Sequence, residues 1–194
     1  ATYFTNQLWG SYEHNGPIER PIANHAFDYG NVHFSIIGTS GYEEMNEWLI
    51  EQADKSDKKW KFAVHHFPIC FAGPGIEIDD SYPSLRDGMD KYDIVFSGHE
   101  HSFARSYPKR SEGLFTKPSE GTVHYNLGSS HRNPPGTRVV PKVWNAKTYC
   151  HEEELSMFTI VDIDGGKCTL TAYVEDVKII DVATIDKDKD LITP

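Results

Sequence analysis

The stretch Ile94-Val95-Phe96-Ser97-Gly98-His99-Glu100-His101-Ser102-Phe103-Ala104 decides how this chain folds and where its chemistry lies. Ile94 to Phe96 is a short apolar run bounded by a turn signal, the pattern of a buried strand. It gives way to Gly98-His99-Glu100-His101, which sets two imidazoles at i and i+2 beyond the strand tip. In extended chain, residues two apart project to the same side. Two such rings can each hold one ion of a metal pair, and Gly98 lets the backbone approach without a Cβ in the way.

Upstream of this strand the pattern repeats. Leu85, Met89 and Tyr92 mark a short helix, and Trp60 to His66 is another apolar strand. Ser40 with Glu43 forms a capping box that opens a helix with Met45, Trp48 and Leu49 on one face, running to about Lys55. Val32 to Ile37 is the strand before it. The order βαβαβ predicts a parallel sheet with right-handed crossovers, and ligands of such sheets sit beyond the carboxyl ends of the strands. His65 and His66 end one strand there, and His99 and His101 end the next. Between them, Phe67 to Asp80 turns to Pro, Gly and acids and reads as a long loop.

Downstream, Thr122 to Leu127 is a strand ending at Gly128-Ser129-Ser130, and Asn133 to Pro141 is a loop. Met157, Thr159, Val161 and Ile163 then alternate before the turn Asp164-Gly165-Gly166. Cys168 to Val174 and Val177 to Ile185 follow as further strands of an antiparallel meander. The chain thus divides into an irregular segment (1–26), a histidine-bearing α/β part (27–130), and a loop with a β-meander (131–194). We expect one α/β lobe.

The chain has 194 residues, long enough for one sizeable core. Its net charge of −10 disfavours a nucleic-acid backbone or an anionic membrane as partner. No apolar stretch approaches the length of a membrane span. Cys70, Cys150 and Cys168 show no Cys-x-x-Cys pairing, which excludes a thiolate zinc site and a dense disulfide framework but leaves one disulfide open. No asparagine lies in an Asn-x-Ser/Thr sequon.

His66-Phe67-Pro68, Gly98-His99-Glu100-His101 and Tyr107-Pro108 line up in an order that resembles the carboxyl half of the calcineurin-like metallophosphoesterases. Trp60 to Pro68, Lys91 to Pro108, Gly121 to Ser130 and Phe27 to Phe34 are similar to the purple acid phosphatase branch. The resemblance implies the second half of a metallophosphoesterase β-sandwich flanked by helices: a mainly parallel βαβαβ unit, then the meander. It implies that His66 and His99 bind one metal ion and His101 the other, the ions being iron, zinc or manganese and completed by residues not in this chain. It further implies hydrolysis of a phosphate monoester by a metal-bound hydroxide; beside these ligands, Arg105 is a candidate substrate contact and His65 a candidate substrate contact or catalytic acid. It favours an extracytoplasmic or secreted location. Phosphodiester or nucleotide hydrolysis on the same core is the alternative activity, and a non-catalytic binding or scaffold module is the alternative class.

Several departures from the family pattern stand out. No Gly-Asp dipeptide occurs, so the bridging carboxylate is missing, and the one Gly-Asn, at Gly30, is not followed by histidine. The simplest account is a carboxyl-terminal piece whose partner is the amino-terminal half of the same fold, with self-association through a sheet face left uncovered. Ala104-Arg105 replaces the branch's Glu-Arg, and the 71–80 loop offers Glu77, Asp79 and Asp80 rather than histidines. Arg105 also reads as a plain salt-bridge partner, His65 as a packed neutral histidine, and Asn24 as a weak match to the missing asparagine ligand. His14, His25, His33, His124, His131 and His151 read as ordinary core or surface residues.

Overall fold

The computed structural model describes residues 16, 24–38, 42–70, 72–73, 83–129, 139–150, 155–175 and 178–194. Ser40 of the expected capping box, the acids Glu77, Asp79 and Asp80, and most of the 133–141 loop lie outside them.

Apolar residues at strand and helix spacing generate the first crossover unit. β1 (His25–Tyr29) and β2 (Val32–Ile36) lead to α1 (Tyr42–Lys55), then β3 (Trp60–Val64), a single turn at Pro83–Leu85 continuing as α2 (Arg86–Met89), and β4 (Ile94–Ser97). Shorter strands follow: β5 (Phe103–Ser106), β6 (Lys109–Arg110), β7 (Gly113–Leu114), β8 (Val123–Leu127) and β9 (Asn145–Tyr149). The last part is β10 (Met157–Asp164), β11 (Lys167–Val174), β12 (Lys178–Asp186) and β13 (Leu191–Thr193).

The larger sheet has the order β1-β2-β3-β4-β8-β5-β9. β2, β3, β4 and β8 run parallel, as the βαβαβ reading requires. β5 lies antiparallel between β8 and β9. The second sheet is the antiparallel meander β10-β11-β12-β13, with Met157 to Ile163 alternating inward and outward as expected. No helix among the described residues is long and apolar enough to cross a membrane.

β1 corrects the reading of residues 1–26 as irregular, because the strand starts at His25. It folds back on β2 through Gly30, whose φ of 58° suits the tight turn. β5, β9, β13 and the β6–β7 hairpin are further strands that composition did not mark; most are short and lack a clear alternation.

Both faces of the large sheet are covered. Met45, Trp48, Leu49 and Ala53 of α1 pack with Leu85 and Met89 against Ala63 and Val95. On the other face Trp60, Phe62, Ile94, Phe96, Val123 and Tyr125 meet Leu170, Ala172, Val174, Ile180 and Ile185 of the meander. A strand buried on two faces is apolar at every position, which is why Ile94-Val95-Phe96 shows no alternation. This corrects the expectation of a whole sheet face left bare. What stays uncovered is a strip: Phe27 (46% exposed) and Tyr29 (78% exposed) lie in register with Phe34 and Val32, on the face the meander covers elsewhere. Beside it, the outer edge of β10 has no strand partner among the described residues.

Several polar contacts tie the sheets together, among them ion pairs of Lys59 with Asp188 and of Lys187 with Asp93. The Trp60 indole donates to the Gly165 carbonyl at 2.9 Å, and Arg105 is paired with Asp181. No disulfide joins the three cysteines; Cys70 and Cys168 lie in the cores on opposite faces of the large sheet and cannot meet.

Candidate metal site

The parallel register brings the carboxyl ends of β3 and β4 side by side. The His65 N–H donates to the Phe96 carbonyl at 3.0 Å, and the Gly98 N–H donates to the His66 carbonyl at 3.0 Å. These bonds extend the ladder past the strands and carry His66 up to the histidine turn. There His99 Nδ1 comes within 3.2 Å of His66 Nε2, the rings lying edge to face with centroids 5.1 Å apart. Phe67 packs on the His99 ring at 4.6 Å and limits its rotation. Both histidines are solvent-exposed and open to an incoming ion.

The local backbone differs from an extended strand tip. β4 ends at Ser97, and the Glu100 N–H donates to the Gly98 carbonyl at 2.8 Å, closing a three-residue turn centred on His99. His99 has φ 66°, so the left-handed residue is the histidine and not the glycine before it. Such turns are strained, and a non-glycine residue held there costs of order 1–3 kcal/mol. Gly98 is not sterically required: a Cβ there would meet His66 at an ordinary 3.9 Å. The same-side argument for His99 and His101 therefore fails, because the chain between them is not extended. The pair that meets is His66 with His99.

The pair suits a metal ion. Two nitrogens bound at about 2.0–2.1 Å to one tetrahedral ion are separated by about 3.3 Å. The observed 3.2 Å is compatible with that spacing, and it is also the length of an N–H···N hydrogen bond between the two rings. Neutral imidazoles of this kind take zinc, iron or manganese alike. His101 is exposed on the same turn. No group of three or more His, Cys, Asp or Glu side chains gathers for a metal among the described residues, so an ion held here would take only two ligands from this pair.

His65 lacks the access that a proton donor to substrate needs. Both ring nitrogens are buried without a hydrogen-bond partner among the described residues. Burial, with a smaller contribution from His66, pushes its pKa down to about 3, so the ring is neutral at ordinary pH. The packed-neighbour reading is the one this placement supports. Arg105 is likewise committed elsewhere: Nε and Nη2 grip the Asp181 carboxylate at 2.6 and 3.1 Å, in a largely buried two-point pair across the sheets. Asn24 is buried and its Oδ1 accepts the Gly38 N–H at 2.7 Å, a structural role that removes it as a ligand.

His124 is buried on the same face as His65, as His33 is. Burial first, then His65 and Lys109, lower its pKa to about 3. The unfolded chain binds this proton near pH 6.5 and the folded chain does not, so the contribution to stability is intact above pH 6.5 and is lost as pH falls toward 3. Each such group gives a slope of roughly 1.4 kcal/mol per pH unit in that window. We expect His124→Leu to flatten the fall of the urea midpoint between pH 6.5 and 4.5; parallel curves for variant and parent would show that His124 takes up its proton within the fold.

A hydrolase-like chain of contacts lies elsewhere. His33 Nδ1 is 2.8 Å from Asp28 Oδ1, and His33 Nε2 is 3.2 Å from Ser35 Oγ. Ser35 is fully buried, and the Tyr92 hydroxyl donates to it at 2.7 Å, so it cannot reach a substrate. The chain of contacts is structural.

Asn126 is the residue that sequence reading missed. Its Nδ2 donates to the Glu100 carbonyl at 2.8 Å and the Ser102 carbonyl at 2.7 Å, both in the histidine turn. The available signal was an amide in the otherwise buried strand Val123–Leu127, where a polar side chain needs a reason.

No protein-family model matches the chain, and no curated protein matches it in sequence. Solved structures do match. A purple acid phosphatase from yellow lupin (Lupinus luteus) seeds superposes with a TM-score of 0.64 over 88% of this chain and 34% of its own, at 18% identity. PhoD gives 0.61 over 88% and 43% at 12% identity, and GAP50, the anchor in the inner membrane complex of Plasmodium, gives 0.54 over 84% and 53% at 15% identity. The chain thus spans only part of the length of each. Identities this low speak to architecture alone, and the architecture is the calcineurin-like metallophosphoesterase fold.

Proposed function

We propose that this chain is the carboxyl-terminal part of a binuclear metal-dependent phosphohydrolase acting on phosphate monoesters. The observation that carries this reading is the convergence of His66 Nε2 and His99 Nδ1 at 3.2 Å beyond the carboxyl ends of two parallel strands. Two metal ions, when bound, supply positive charge for the phosphate oxygens and an acidified water. His66 and His99 hold one ion, and His101 belongs to the second, with the remaining ligands coming from the other part of the sandwich. His65 keeps its ring neutral behind the pair. Arg105 fixes the meander rather than the substrate.

The exposed strip at Phe27 and Tyr29 and the edge of β10, unpartnered among the described residues, support this reading as surface that such a part would cover. An unfilled strip also favours self-association of the isolated chain.

A second reading, a non-catalytic scaffold on the same fold, is favoured by the incomplete ligand set among the described residues. Assay of the intact protein and the isolated chain decides. We expect the intact protein to hydrolyse p-nitrophenyl phosphate faster than bis(p-nitrophenyl) phosphate and to lose this with a chelator. The isolated chain should be inactive and bind a hydrophobic dye. A faster diester rate moves the assignment to phosphodiesterase, and an intact protein inert to both with any of the three metals is a scaffold.

A further inference from the structure

Asn126 stands where the sheet opens to make the histidine turn. Its Cα is in register with Ser97 of β4 on one side and Ala104 of β5 on the other, the residues between which the 98–103 turn leaves and returns. The carboxamide is fully buried. Both of its N–H groups are directed at the turn, one to the Glu100 carbonyl and one to the Ser102 carbonyl, at 2.8 and 2.7 Å. Those carbonyls bracket His101, and the first belongs to the residue after His99. A histidine at φ 66° persists only where its surroundings over-determine it.

We infer that Asn126 is the positioning residue of the histidine pair: its carboxamide clamps the Glu100 and Ser102 carbonyls and so keeps His99 in the left-handed turn that sets Nδ1 against His66 Nε2. The inference rests on the metal-site reading for its functional meaning. The clamp needs donors, so the isosteric Asp cannot replace Asn. Aspartate would turn carboxylate oxygens toward two carbonyls, and those buried acceptors would lose their partners.

The test uses the chain itself, observed by NMR and by titration with zinc alone. In the parent chain we expect a ring-to-ring nuclear Overhauser effect between His66 and His99. Asn126→Asp should lose it, and its zinc affinity should fall tenfold or more, the usual size of an outer-shell effect. Asn126→Ala, which removes the donors without adding charge, should behave alike and serves if the aspartate variant does not fold. Val123→Ala is the control for lost stability: it lies on the same strand but faces the meander core, and should retain both signals. Persistence of the ring contact in the Asn126 variants, or its equal loss in Val123→Ala, overturns the inference. Parent chain that shows the ring contact yet binds no zinc overturns the metal reading instead, and the clamp is then judged on the ring contact alone.

Discussion

Alanine at His99 or at His66 should remove zinc binding by the chain almost completely, and should lower phosphomonoester turnover by the intact protein by orders of magnitude. The two rings converge at 3.2 Å, so each supplies half of one ion's ligands from this chain, and losing either leaves a single imidazole. Ligands that act through one ion are not additive, so His66→Ala with His99→Ala should cost little more than either alone. His101→Ala separates the two ions: it should lower turnover as severely while leaving the zinc held by His66 and His99 in place. Calorimetric titration with zinc and steady-state rates on p-nitrophenyl phosphate measure both. Near-normal turnover and metal content in His99→Ala would remove the site from this turn altogether.

The second large effect is on stability. Arg105→Ala or Asp181→Ala should each lower the unfolding free energy by about 3–5 kcal/mol, because each leaves its partner's charge buried and unpaired. The pair is strongly shielded, with side chains 11% and 7% exposed. Replacing both, as Arg105→Met with Asp181→Leu, should recover most of the loss, since a buried pair contributes little net stability over a well-packed apolar one. Urea midpoints of the three variants give the comparison. If Arg105 served substrate instead, Arg105→Ala would raise KM in the intact protein and leave the midpoint near that of the parent.

The strands that came out as read are those whose pattern is set by burial on both faces. Ile94 to Phe96 is a continuous apolar run, and Trp60 to Val64 is apolar but for Lys61, because helices lie on one side and the meander on the other. α1 is visible through its Met45, Trp48, Leu49 stripe, and the meander through the alternation from Met157 to Ile163. β5 and β9 escaped notice for the converse reason. Phe103-Ala104-Arg105-Ser106 and Asn145-Ala146-Lys147-Thr148-Tyr149 derive their conformation from β8 and from each other, and nothing local announces it.

At the site, residue types were readable and conformation was not. The Gly-His-x-His spacing placed a turn beyond the strand and gave Gly98 a close backbone approach, but it did not foretell the left-handed backbone of His99. It set His99 and His101 on one side of an extended chain, whereas the strand register brings His99 against His66, the two that the resemblance assigns to one ion. Arg105 and His65 were separable from site residues only once Asp181, distant in sequence, and the burial of the imidazole were in view. Asn126 acts through two carbonyls, a contact that leaves no trace in a motif.

The position of β5 between β8 and β9 bears on how the molecule is made. Every other strand of the large sheet up to β4 has a neighbour already present when it leaves the ribosome: β2 finds β1, β3 finds β2, and β4 finds β3. β5 emerges with both neighbours still unsynthesised, and it must wait for residues 123–127 and 145–149 before either of its edges is paired. During that interval Phe103 and the growing edge of β4 are exposed together, the kind of surface on which nascent chains associate wrongly. Chaperone capture of the chain between residues 106 and 127 would shield this edge until its partners arrive.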